Sequence, residues 1–289
     1  MLIRIGFDLT FESPAPVPMI LMLYTHPSRS GSLSAPEVIQ TSPAIPISTM
    51  TDHFGNRCGR ILAPAGQIRL WHETLIRDSG LPDPISLDAA QWDVHALPPD
   101  VVQFVFASRY CETDMLSDIA WNLFGQTPPG WSRVQAVCEW VHANIQFGYE
   151  FASPNKTAFQ VYQERKGVCR DFSHLLIAFL RCLNIPARYA TGYLGDIGVP
   201  LNPEPMDFSA WTEVFLDGRW YTFDARHNTP RIGRVVMARG RDAVDVAITT
   251  SFGPSTLTKF SVTTDAIPFD EDTVAQPRYA SMPAVVQVT

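Results

Sequence analysis

The sequence predicts an α+β protein, with an N-terminal β-sandwich followed by a core of helices packed on an antiparallel sheet. Three observations carry that expectation. The first 76 residues break into short alternating or apolar stretches between Pro, Gly, Ser and Asn clusters. Between residues 115 and 183 the apolar residues recur at helical spacing. After Pro186 the period drops from about 3.6 to 2.

In chain order, the candidate strands of the first region are Leu2 to Thr10, Val17 to Tyr24, Val38 to Thr41, Arg60 to Ala63 and Gln67 to His72. Phe54-Gly55-Asn56 and Pro64-Ala65-Gly66 read as turns, and a sandwich is the natural way to bury one face of such strands. Residues 77 to 114 are rich in Pro and Asp, as in Leu81-Pro82-Asp83-Pro84 and Leu97-Pro98-Pro99-Asp100, so the domain boundary is placed there. Residues 1–98 are expected to form the sandwich with its linker, 99–268 the α+β core, and 269–289 a tail. The core opens with helices at Met115 to Phe124, Trp131 to Phe147, Ala158 to Arg165 and Cys169 to Leu183. Val134, Val137, Cys138, Val141 and Ile145 make one stripe of the second. Strands follow at Ala187 to Leu194, Asp207 to Leu216 and Arg219 to Asp224, with a further one at Leu257 to Thr263. Asp217-Gly218 is a strong two-residue hairpin signal.

Composition narrows the function classes. Of 289 residues, 46% are hydrophobic and 18% charged, an ordinary globular balance. Lys and Arg number 22 against 29 Asp and Glu, a net charge of −7, which disfavours binding to a phosphate backbone. No apolar run approaches the roughly 20 residues of a membrane span, and Val17 to Tyr24 is too short for a signal segment. A soluble, cytoplasmic protein without nucleic-acid or membrane partners is therefore expected. No phosphate-binding loop, dinucleotide fingerprint, metal-ligand spacing or acidic calcium loop is present, so neither cofactor nor metal is expected.

The five cysteines are Cys58, Cys111, Cys138, Cys169 and Cys182. They are odd in number and contain no C-x-x-C pair, which supports neither a disulfide framework nor a thiolate zinc site. Cys169 sits in the first turn of its helix, on the edge of the apolar stripe formed by Phe172, Leu175, Leu176 and Phe179. At a helix start the unpaired N–H groups and the dipole favour a thiolate and can hold an oxyanion. A buried structural cysteine is the competing reading. In the hairpin, Leu216 pairs with Arg219 and Trp211 with Asp224. Ser209 then faces Arg226, and Ser209, Trp211, Glu213, Thr222, Asp224 and Arg226 share one face, with Ser209 and Asp224 diagonal neighbours.

The ordered set Gly167-Val168-Cys169-Arg170-Asp171-Phe172, Ile185-Pro186-Ala187-Arg188-Tyr189, Ser209-Ala210-Trp211 and Phe223-Asp224 resembles the transglutaminase-like superfamily of papain-fold cysteine enzymes. The leading β region resembles the N-terminal domain of bacterial members, and the likeness extends over roughly residues 1 to 265. What it implies is acyl transfer: a thiolate attacks an amide of a peptide or protein, a histidine protonates the leaving amine, an aspartate fixes the imidazole, and water or an amine resolves the thioester. Cys169 and Asp224 match the nucleophile and the orienting carboxylate. Ser209 stands at the histidine position and cannot act as a base near neutral pH.

Three readings follow. In one, another histidine substitutes. His227 is nearest in sequence, but on a regular hairpin it pairs with Phe208 and points to the opposite face, so it reaches Cys169 only if the strand ends or bulges after Asp224. His174 lies nearly opposite the apolar stripe and is better suited to bond a polar neighbour. In the second, the helix end and Arg170 alone activate the thiol. In the third, the protein is a non-catalytic relative whose groove binds a peptide or protein. Tyr149 is a candidate oxyanion donor or packing residue, and Trp211 a candidate groove wall; both, with Arg170, are expected to contact the substrate. Arg231, Arg234, Arg239 and Arg241 form a basic run, read as a substrate-carboxylate site or as ion pairs with Asp242 and Asp245.

Overall fold

The computed structural model describes residues 1–202 and 205–267; the expected tail, 269–289, lies outside them. In chain order the elements are β1 (Leu2–Ser13), β2 (Val17–Leu21), β3 (Gln40–Ser42), β4 (Ser48–Thr51), β5 (Arg57–Ala63), β6 (Gly66–Arg77), α1 (Thr113–Phe124), α2 (Trp131–Asn144), β7 (Gln146–Phe147), α3 (Ala158–Glu164), β8 (Lys166–Gly167), α4 (Cys169–Cys182), β9 (Ala187–Tyr193), β10 (Ser209–Leu216), β11 (Arg219–Phe223), β12 (Val235–Gly240), β13 (Thr249–Ser251) and β14 (Thr256–Ile267).

The expected α+β architecture is present. Two four-stranded sheets, ordered β14-β1-β6-β3 and β13-β2-β5-β4, form the sandwich. Alternation decides which faces meet: Ile3, Ile5, Phe7, Leu9 and Phe11 of β1 are buried in one core cluster with Met19, Leu21 and Ile61 from the other sheet. One outer strand of each sheet comes from the far end of the chain. β14 pairs with β1 from Leu2↔Ile267 to Glu12↔Thr256, and β13 pairs with β2. Residues 249–267, assigned by sequence to the core, thus pair with the sandwich.

The core sheet is antiparallel, ordered β11-β10-β9-β12. Asp217 and Gly218, with φ of 48° and 79°, make the two-residue turn between β10 and β11. Helix α4 packs on β9 and β10 and is covered by α1, α2 and α3. It is buried on every side from Asp171 to Cys182, not only along its apolar stripe. Its polar residues are accommodated singly: His174 stacks on Tyr110 at 5.1 Å and its Nε2 accepts the Ala243 N–H, while Arg181 donates to the Ala187 and Arg241 carbonyls.

Strand β12 lies inside the arginine run, where charges mask the strand pattern. The run consists of structural pairs: Arg239 with Glu213 at 2.8 Å, Arg241 with Asp245 at 2.9 Å, and Arg234 with both Asp83 and Asp224. Asp242 instead accepts the N–H groups of Tyr110 and Val244. The Phe54-Gly55-Asn56 turn ties the sandwich to this strand. The Asn56 amide donates to the Arg239 carbonyl at 2.7 Å and accepts the Arg239 N–H at 2.8 Å, completely buried. Asn56→Ala leaves both backbone groups unpaired and is expected to cost about 2 kcal/mol in urea unfolding.

Candidate active site

Helix α4 begins where Asp171 Oδ2 accepts the Val168 N–H at 3.0 Å. The chain enters through Gly167, where a Cβ would sit 2.6 Å from Asp171 Cβ, so only glycine permits this approach. Arg170 is drawn to the same carboxylate, at 3.1 Å, and donates to the carbonyls of Ser153 and Pro154. It therefore fixes the helix start and faces a different cavity from the Cys169 one. The expectation that it contacts substrate beside Cys169 is corrected: its fork is taken up by Asp171 and the 153–154 loop.

Cys169 is the one half-buried cysteine; the other four are buried and all five are free. It lines a cavity of about 430 Å³ together with Ser209, Tyr149, Asp207, Arg226 and His227. The thiol is not depressed by the helix start, as its position in sequence suggests. Burial pushes it up to about 11, against the opposing pull of the nearby Arg226 cation and a backbone hydrogen bond from Ala210. The Asp207 carboxyl is also raised, chiefly by burial.

The hairpin does not continue as regular extension predicts. β11 pairs with β10 only as far as Thr212↔Phe223, and Ser209 pairs on its other side with Gly192 of β9. The chain turns immediately after the strand because Asp224 captures its own downstream backbone. Oδ1 accepts the N–H of Arg226 at 3.0 Å and of His227 at 3.2 Å, and the Asp224 carbonyl accepts the Asn228 N–H at 2.7 Å. The turn carries His227 out of the Phe208 pairing and back onto the same carboxylate, Nδ1 to Oδ2 at 2.9 Å.

Asp224 itself is buried. Burial alone would raise its pKa, but the Arg234 guanidinium at 2.9 Å and the bonds from His227 outweigh it and hold the carboxyl far below its usual range. An ionised carboxylate only accepts, so Nδ1 carries the proton and Nε2 is the basic atom of the neutral ring. From α2, His142 Nδ1 faces the carbonyls of Ala225 and Arg226 at 3.0 and 3.1 Å and braces the turn.

Cys169, Ser209, Tyr149 and His227 are thus brought to one cavity, with Asp224 behind His227. Trp211 is not a groove wall. It is buried beneath Arg234, whose guanidinium lies 5.1 Å from the ring centroid, and it packs with Ala190 and Val236. His174 is sealed in the core. Sequence reasoning placed Arg226 opposite Ser209 without giving it a role, and missed Asp207 and His142. The available signal was the spacing of Asp224 and His227: an aspartate followed two and three residues later by backbone it can cap.

Among the described residues no helix is long and apolar enough to cross a membrane, and no cluster of His, Cys, Asp and Glu is suited to hold a metal. Residues 118–225 match the sequence model of the transglutaminase-like superfamily, a span that includes Cys169, Ser209 and Asp224 and stops two residues before His227. A crystal structure of a Cytophaga hutchinsonii protein, provisionally assigned as a cysteine protease, is 29% identical, with a TM-score of 0.78 over 93% of this chain and 92% of that one. An uncharacterized protein of Mycobacterium leprae is 28% identical over 118 residues, 39% of this chain and 42% of that protein's length. One from Mycobacterium tuberculosis is 22% identical over 259 residues, 86% of this chain and 73% of its own length. Residues 118–225 thus carry a transglutaminase-like core, within a fold shared along nearly the whole Cytophaga chain.

Proposed function

We propose that the protein is a thiol enzyme acting on amide bonds of a peptide or protein, either cleaving them or transferring the acyl group to an amine. Cys169 is the nucleophile, His227 the acid–base and Asp224 its orienting carboxylate. Ser209 occupies the position vacated by the usual histidine. The observation that carries this reading is the 2.9 Å contact between His227 Nδ1 and Asp224, made on the wall of the cavity that also holds Cys169.

The thiol proton passes to His227 Nε2 as sulfur attacks the carbonyl carbon. The oxyanion is held by the N–H groups of Cys169 and Arg170, which precede the first bond of the helix, from the Asp171 N–H to the Val168 carbonyl at 2.8 Å. Collapse of the adduct breaks the C–N bond, and the imidazolium returns its proton to the leaving amine. The thioester is then resolved by water or a second amine, activated by the same ring.

Alkylation by iodoacetamide across pH tests the pairing. An isolated thiol at about 11 reacts appreciably only in alkali. With His227 as partner, the wild type is expected to react near neutral pH, and His227→Gln to lose that limb. Profiles that coincide, both rising only in alkali, would favour an inactive module that binds a peptide or protein partner.

A further inference from the structure

The charge beside the thiol is the feature that the acid–base assignment leaves unused. Arg226 lines the Cys169 cavity, half-buried, with its guanidinium 3.9 Å from the Phe147 ring centroid and beside the Tyr149 hydroxyl. Among the described residues no carboxylate forms an ion pair with it, whereas Arg231 on the same wall has Asp196 at 3.7 Å and donates to the Gly195 carbonyl. A planar, always-charged fork stacked on an aromatic ring inside a cavity is matched by a carboxylate, which it binds through two parallel hydrogen bonds. The carboxyls of Asp196 and Asp207 on the same wall disfavour a dianion such as a phosphate monoester. A volume of about 430 Å³ is that of a small-molecule site and does not admit a folded segment.

We propose that Arg226 is a specificity residue that holds a carboxylate of a short substrate next to the amide presented to Cys169. The inference rests on the thiol-enzyme reading and narrows its substrate class to small peptides or acylated amino acids carrying a free carboxylate near the reacting bond.

The test compares two alkylating agents of nearly equal shape, iodoacetate and neutral iodoacetamide, on the full chain, with Cys169→Ala as the blank. Both react with the thiolate, so their rate ratio cancels any change in thiol pKa. The ratio at Cys169 is expected to exceed that of a free thiol by roughly ten- to hundredfold. Arg226→Gln should bring it down to the free-thiol value, and Arg226→Lys should restore part of it. A wild-type ratio no higher than that of a free thiol, or one unchanged in Arg226→Gln, overturns the proposal while leaving the thiol-enzyme reading intact. If neither reagent touches Cys169, that reading fails, and the anion site is decided separately. N-acetyl dipeptides with free or amidated C termini are then titrated against the ¹⁵N-labelled protein, following the Arg226 side-chain Nε–H resonance. Movement with the acid but not the amide sustains the site; movement with both or neither removes it.

Discussion

His227→Gln is expected to lower kcat/KM toward an amide substrate by about two to four orders of magnitude, and Cys169→Ala to remove activity altogether. The first loss is that of a positioned acid–base: glutamine can fill the space and bond Asp224 but cannot carry a proton between sulfur and leaving amine. Ser209→Ala should leave kcat/KM within a few-fold. Ser209→His should bring no gain, because the orienting carboxylate is already engaged. Asp224 receives the N–H groups of Arg226 and His227, the His227 ring and the Arg234 guanidinium. An imidazole at 209 would enter the cavity without a carboxylate to fix its tautomer. Steady-state kinetics on the four variants decides the matter. A His227→Gln protein as active as wild type, or a strongly activated Ser209→His, would move the acid–base function away from His227.

Arg234→Met is expected to destabilise the fold by about 3–5 kcal/mol, a drop in Tm on the order of 10 °C. Arg234 lies between two carboxylates, Asp83 at 2.8 Å and Asp224 at 2.9 Å, and its loss leaves the buried Asp224 with only the His227 ring and backbone N–H groups as partners. The pH dependence follows from the depressed Asp224 pKa. A group lowered on folding stabilises above its unfolded pKa, about 3.9, and that stability is lost as pH falls through the folded value. The gap between wild type and Arg234→Met is therefore widest at neutral pH and narrows below about pH 4. A gap independent of pH down to strong acid would assign the loss to packing over Trp211 instead.

How far the sequence was legible depends on whether a feature was local. The turn at Asp217-Gly218 and the placement of Cys169 at a helix start need only neighbouring residues, and the structure has both. The position of His227 was not legible, because extrapolating a strand assumes that ladder hydrogen bonds continue. Asp224 offers its backbone a competing acceptor, and the side chain wins. Strand β12 was read as a charge run because Arg239 within it and Arg234 just before it find partners from β10 and from the loop near Asp83, which lie far away in sequence. The thiol was misjudged for a related reason: the helix-start effect is local, whereas the burial that outweighs it comes from the surrounding fold.

The pairing of β14 with β1 has a consequence for how the protein is made. As the polypeptide leaves the ribosome, β1 emerges first and its partner Thr256–Ile267 more than two hundred residues later. Until then one side of β1 has no neighbour, and the nascent chain carries an open edge able to capture strands from other molecules. The sandwich is therefore completed only after the helices and core sheet have been synthesised, and a fragment cut at residue 98 would keep that edge permanently.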